Sequence, residues 1–448
     1  MIGVTNAASP SAKDNRVPDS LVEPLLPVEI GPARIRYAQG MRAGPWVFAT
    51  GHLAQDFQNG IAPDVIGAGA PHFGPPKHEK EAARIYDNIA AVLQSTGAGL
   101  DNVVRVDQYY RTARAVDPYH VVRRQRFGSL VPPSTSIIVQ DLLLPHASME
   151  MQAIALHPSA GAPEMLRHRE LDGPPTSGYS AALRVSAFVF VAGAMASAKP
   201  GEPSRRGIAS AATMPEGSLW KGQPVKLETE YVIAEKLKPA LALAGCTLAD
   251  VVKAQIYLPD VDDVAAFNEV WNRHFAASPT ATTIVICADP GLGLADARVE
   301  INVMALSPAA GRKSLVACDI APPYRNHVAG VRAGDFLFLS GLMAADVNGI
   351  LPEAKADPRQ PHFHSGAQAE ADAILARAQV ICRAAGASLA NVVRIQQFHT
   401  DLRTFYPTYA AWQRMLPDQA LPISAVEVPN LPVPDCTLQM DLWVYAPA

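Results

Sequence analysis

Cysteine is scarce and without pattern in this chain. The five, Cys246, Cys287, Cys318, Cys382 and Cys436, are odd in number, widely scattered and form no CxxC or CxH cluster. That excludes a disulfide framework and a zinc finger, and suits a reducing compartment where a lone thiol is a small core residue. Long apolar runs are missing too: none reaches the ~18 residues that a membrane span needs. The opening MIGVTNAASPSAKDNRVPDS lacks the basic-then-apolar order of a secretory signal. Nor is there an excess of one charge, with 38 Lys+Arg against 42 Asp+Glu and a net charge of -4. Such a surface has no electrostatic footprint for nucleic acid or an anionic membrane. These absences predict a cytoplasmic protein with neither nucleic acid nor membrane as partner.

What is present is a repeat. The 448 residues, 49% of them hydrophobic, suffice for roughly three domains of about 150 residues each, and one order of signals recurs three times. Each copy opens on a hairpin-like pair of strands ending in a small residue and glycine: IRYAQGMRAGPWVFATGH, YSAALRVSAFVFVAGA and RNHVAGVRAGDFLFLSGL. A helical segment follows, closed by Gly97, Gly245 or Gly386, and then a strand rich in β-branched and aromatic residues, NVVRVDQYY, DVVKAQIYL or NVVRIQQFH. A shorter helix with aromatic anchors starts near Asp117, Asp263 and Thr404, each a suitable N-cap. Each copy closes on a Pro-introduced strand (PSTSIIV, PTATTIVI, PISAVEV) and a final alternating strand. The expected layout is an arm without order over residues 1–24, then domains over 25–160, 170–308 and 316–448. The stretches HPSAGAPE and LSPAAGRKS read as linkers.

These signals carry a resemblance. Strand, strand ending small-Gly, helix, Gly-x-x-L-x-[DN]-V-V-[KR] strand, aromatic helix, P-x-x-[ST] strand and final strand together resemble the RidA/YjgF family, most sharply at LADVVKAQIYLPDVDDVAAFNEVW. The resemblance implies an α+β fold related to chorismate mutase, each domain a mostly antiparallel sheet with two helices on one face. It also implies that three such domains associate around a central barrel with ligand clefts between neighbours. Three copies in one chain would then form an intramolecular pseudo-trimer, able to stand as a monomer, because fusion removes most of the association entropy.

In catalytic members the cleft hydrolyses enamine and imine acids. Carried over by motif, the water-positioning Glu falls on Glu150 and Glu300 but on Gln439 in the third copy. The first-strand Tyr falls on Tyr37 and Tyr179, and on His327. The small-Gly pair is Thr50-Gly51, Ala192-Gly193 and Ser340-Gly341, and the second-helix Asn survives only at Asn268, replaced by Val122 and Tyr409 elsewhere. His52, and His72 in a Pro-His-Phe loop repeated at residues 361–363, add polar groups near the first cleft. His52, His72, His362 and His364 match no zinc spacing, so neither metal nor other cofactor is expected. The family's carboxylate-clamping Arg is missing, with Thr135, Ala281 and Ser424 at or beside its place. A small imino acid would lose a charge-assisted contact worth ~1.5–3 kcal/mol. The expectation is therefore a hydrolase or deaminase-like enzyme for a different C–N substrate (imine, enamine, amide or lactam), with Glu150 and Glu300 catalytic. The alternative is a non-catalytic protein that binds small molecules or partners.

Overall fold

In the computed structural model the described residues are 21–66, 75–174, 176–218, 222–320, 322–324, 326–357, 359 and 365–447. Each domain is one sheet built in the same order. In the first, Val22–Ile30, Ile35–Ala43, Trp46–His52, Met149–Leu156 and Val103–Tyr110 pair antiparallel, and Ser134–Ile138 adds a parallel edge. The second domain repeats this from Glu164–Leu166 to Ala281–Ile286, and the third from Ser314–Leu315 to Ile423–Glu427. A leading edge strand was not legible in the hairpin pattern. The first begins at Val22, inside the stretch expected to be an arm, while Glu164–Leu166 and Ser314–Leu315 begin inside the expected linkers. In the second and third domains edge strands of three and two residues leave no period-two signature to read.

A long and a short helix cover one face of each sheet. In the first domain these are Lys77–Gln94 and Val116–Phe127. The capping glycines Gly97, Gly245 and Gly386 have φ of 84°, 70° and 66°, the left-handed conformation that lets the chain leave the helix. A buried Glu in each long helix, Glu81, Glu228 or Glu370, accepts the backbone N–H of Ser148, Arg298 or Thr437 and so ties the helix to the start of the final strand. Asp263 and Thr404 stand at the N-cap positions of their short helices but make no side-chain cap bond, and Asp117 lies in the first turn of its own. Thr112, Asp260 and Asp401 cap a 3₁₀ turn that precedes each helix, accepting from Arg114, Asp262 and Arg403. No helix among the described residues is long and apolar enough to cross a membrane.

The opposite faces of the three sheets meet. Trp46, Phe48, Phe188, Phe190, Phe336, Phe338 and Trp443 belong to one buried apolar cluster drawn from all three domains. Deeper along the same strands the contact turns polar: Arg105 grips Asp107, Arg394 reaches Asp107 from the third domain, and Lys253 pairs with Asp441. All five side chains are at most 3% exposed, so each charge needs its partner. Backbone contacts run in a ring. Ser180 N–H donates to Val131, Gly341 N–H to Thr282 and Ala38 N–H to Leu421, joining domains one to two, two to three and three to one. Asp141–Leu142 of the first domain also extends the third domain's sheet by pairing with Val426 and Glu427.

Candidate functional site

The small-Gly pairs sit where each hairpin's second strand loses register against the final strand. The ladder jumps from Ala49 to His52 and from Val191 to Ala194, and in the third domain the strand breaks between Leu339 and Leu342. A bulge of this kind re-aims the backbone, and here it opens room for a side chain from the paired strand. A Cβ on Gly193 would lie 2.0 Å from Glu300 Oε1, and one on Gly51 would lie 2.9 Å from Glu150 Oε1. On Gly341 it would meet Gln439 Nε2 at 2.7 Å. The glycine is needed for space, to let a carboxyl or amide lie on the backbone.

The neighbouring domain closes each of these three places. Ser424 of the third domain contacts Gly51, Thr135 of the first contacts Gly193, and Thr283 of the second contacts Gly341. Thr135, Thr283 and Ser424 stand opposite Asp107, Gln255 and Gln396 in their parallel ladders, so they are equivalent. Ala281, expected at or beside this position, lies two residues before it. Two residues inserted after Pro279 shift the strand by a full pleat repeat, which keeps the facing and moves the site to Thr283.

Between domains three and one lies a cavity of about 600 Å³ that Glu150 helps to line. Its walls are mostly apolar, from Ile35, Leu53 and Leu142–Leu144 on one side to Phe405, Tyr406 and Ile423 on the other. Ser424 Oγ–H donates a short hydrogen bond to Glu150 Oε1. Burial pushes the Glu150 carboxyl up to about 8, against the pull of that hydrogen bond. Tyr37 lines the same cavity and donates to the Gly51 carbonyl at 3.0 Å, while the Thr50 hydroxyl is spent on Ala38 O at 2.7 Å. At the rim, Arg111 pairs with Asp141 and Arg403 with Asp401.

The other two sites differ. Burial likewise pushes Glu300 up to about 8, with Arg105 pulling down and Asp107 pushing up. Burial, with Glu300 adding to it, pushes the Tyr179 phenol up to about 12. Glu300 lies against Gly193, where an added Cβ would also meet Thr135 Oγ1 at 3.0 Å. Asn268 does not share this site: it reaches the third domain, where its Oδ1 accepts from His327 Nε2 at 3.0 Å. Burial pushes His327 down to about 4, so the ring is neutral. Beside it Ser340 Oγ–H donates to Val328 O and accepts from Thr282 N–H. The Asn therefore lies with Gln439, and neither carboxyl site has it. His52 is fully buried, its Nε2 on Gln39 O at 2.8 Å and its Nδ1 without a partner. It does not line the cavity, which corrects its expected role. His72 lies outside the described residues. Among the described residues no group of three or more His, Cys, Asp or Glu is placed to hold a metal ion.

Sequence reasoning missed the buried charges. Arg105, Lys253 and Arg394 occupy one position of the repeat, and a cation recurring at the same point of three otherwise apolar strands was the available signal. Arg105 Nη1 and Lys253 Nζ each also donate to a carbonyl of the next domain, Val191 O and Leu339 O.

Repeat, sheet order and bulged clefts define a tandem α+β protein. The Endoribonuclease L-PSP family matches the chain three times, over residues 29–157, 171–307 and 319–446, and the chain belongs to that family, the RidA/YjgF proteins, in three copies. A RutC family protein of Pyrococcus abyssi is 37% identical over 111 residues, 25% of this chain and 74% of that protein. A 2-iminobutanoate/2-iminopropanoate deaminase of Capra hircus is 37% identical over 67 residues, 15% of this chain and 46% of its own. Among solved structures, yeast Mmf1 covers 33% of this chain and 99% of itself at 23% identity, with a TM-score of 0.26.

Proposed function

We propose that the three domains act as an intramolecular pseudo-trimer whose cleft between domains three and one hydrolyses a C–N bond in a small, mainly apolar substrate. One observation carries this reading: a buried carboxyl with its pKa raised to about 8, held by a hydroxyl from another domain and lining an apolar cavity of about 600 Å³. Near neutral pH such a group is mostly protonated and can act as a general acid. Glu150 gives its proton to an imine nitrogen, and the carboxylate so formed takes a proton from water as the oxygen adds to carbon. The carbinolamine then passes a proton to nitrogen, ammonia leaves, and a carbonyl product remains. The family includes deaminases of imino acids, and no guanidinium stands beside Glu150 at the position of Ser424, which favours a substrate without a carboxylate at that point. The same proposal places the protein in the cytoplasm, as a monomer and without a cofactor.

The test is ammonia or amine release from a panel of imines, lactams and amides, run beside thermal-shift binding of the same compounds. The reading predicts turnover of at least one compound that also binds. Binding without release across the panel would leave a binding protein, the reading favoured at the third cleft by Gln439, which cannot exchange protons.

A further inference from the structure

Two places beyond each cleft side chain the copies carry different residues: Gln152 after Glu150, Asn302 after Glu300 and Asp441 after Gln439. Residues so spaced in an extended strand share a face. All three are buried, and each bonds a group of another domain, Gln152 to Arg394, Asn302 to Thr135 and Asp441 to Lys253.

Gln152 is held by its oxygen alone. Its Oε1 accepts from Arg394 Nε at 3.0 Å and from Gln396 Nε2 at 3.3 Å, both of the third domain, and Arg394 is itself fixed by its Nη2 on Asp107 Oδ2 at 2.5 Å. A guanidinium only donates, so it settles which end of the amide is oxygen, and the two donors together turn the Gln152 N–H groups the other way. Nε2 has no partner within hydrogen-bond distance among the described residues, although Gln152 is 3% exposed. One pleat away on the same face is Glu150, close enough that the Gln152 amide, after Ser424, pulls its carboxyl down against burial. The second domain lacks this arrangement: Asn302 is one methylene shorter and its Nδ2 is spent on Thr135 Oγ1 at 3.0 Å.

We propose that Gln152 is a positioning residue of the first cleft, its amide N–H aimed by Arg394 and Gln396 to receive the Glu150 carboxylate once the acid has given up its proton. The inference rests on the reading of Glu150 as the general acid. A donor bonds a charged carboxylate about twice as strongly as a neutral acid, so Gln152 favours the deprotonated form and joins the acid to the third domain. The other titratable groups near Glu150 are the Tyr37 and Tyr109 phenols, both raised by burial, the exposed His146 lining the same cavity, and the pairs Arg111–Asp141 and Arg403–Asp401 at its rim. All of them remain when Glu150 is replaced, so that background subtracts their titration.

The test reads titration and needs no substrate. Thermal midpoints of the full chain are compared at about pH 5, with Glu150 protonated in the fold, and at about pH 9, with it ionised, for wild type and Gln152→Asn, each with and without Glu150→Gln. Asn stands at this place in the second domain, so the variant keeps the fold. Loss of a donor to the charged form raises the folded-state pKa, and stability is then lost more deeply on the alkaline side. Beside Glu150, Gln152→Asn should lower the midpoint more at the higher pH than at the lower; beside Glu150→Gln it should lower it equally at both. The Glu150 pKa read from the difference should move up by about one pH unit, and Gln152→Leu should repeat the pattern. An equal loss at both pH values beside Glu150, or a pH-dependent loss that persists with Glu150→Gln, would overturn the proposal. Failure of the panel to release ammonia bears on the reading of the cleft and not on this coupling.

Discussion

Glu150 and Glu300 are buried carboxyls with no cation bonded directly to them, and the fold holds both near a pKa of 8. A carboxyl raised in the folded state from 4.5 to about 8 binds its proton more tightly there than in the unfolded chain. The fold therefore loses stability as pH climbs from the unfolded value through about 8. Glu150→Gln removes that titration, so its thermal midpoint should exceed that of the wild type at about pH 9 and converge on it near about pH 4. A variant less stable than the wild type at the alkaline end would show that the carboxylate is better solvated than its burial implies. The Glu and Tyr positions came from the family resemblance, whose motif falls on each of the three copies. His52 was misjudged because the motif marks Gly51 and says nothing about whether its neighbour reaches the cavity or is buried behind it. The separation of Asn268 from both carboxyls was invisible for another reason: which domain serves which cleft is set by the ring of contacts, not by any local pattern.

At the level of elements, the bulge is the device that builds each cleft. It drops two residues from the ladder and leaves a Cβ-free patch on which the side chain of the final strand lies. Gly193→Ala places a methyl within 2.0 Å of Glu300 Oε1 and 3.0 Å of Thr135 Oγ1. The substitution should cost about 1–3 kcal/mol, the usual price of overpacking, measured by urea denaturation. A neutral result would mean that Glu300 moves aside freely. The small-Gly pair was legible in the sequence but its purpose was not, since the same two letters end many strands.

Across the whole molecule, three sheets share an apolar centre with a band of buried charge beside it, Arg105, Asp107 and Arg394 joining the first domain to the third and Lys253 and Asp441 the second to the third. That arrangement supports the pseudo-trimer, and with it a cleft whose acid comes from one end of the chain and whose positioning hydroxyl comes from the other. Three diverged copies make three different pockets: Glu150 with Ser424, Glu300 with Thr135, and Gln439 with Thr283. The most direct measurement is the rate of ammonia or amine release by Glu150→Gln compared with the wild type, on whichever compound of the panel is turned over. The account predicts a loss on the order of 10²–10⁴-fold with the fold intact by circular dichroism. An undiminished rate would contradict it.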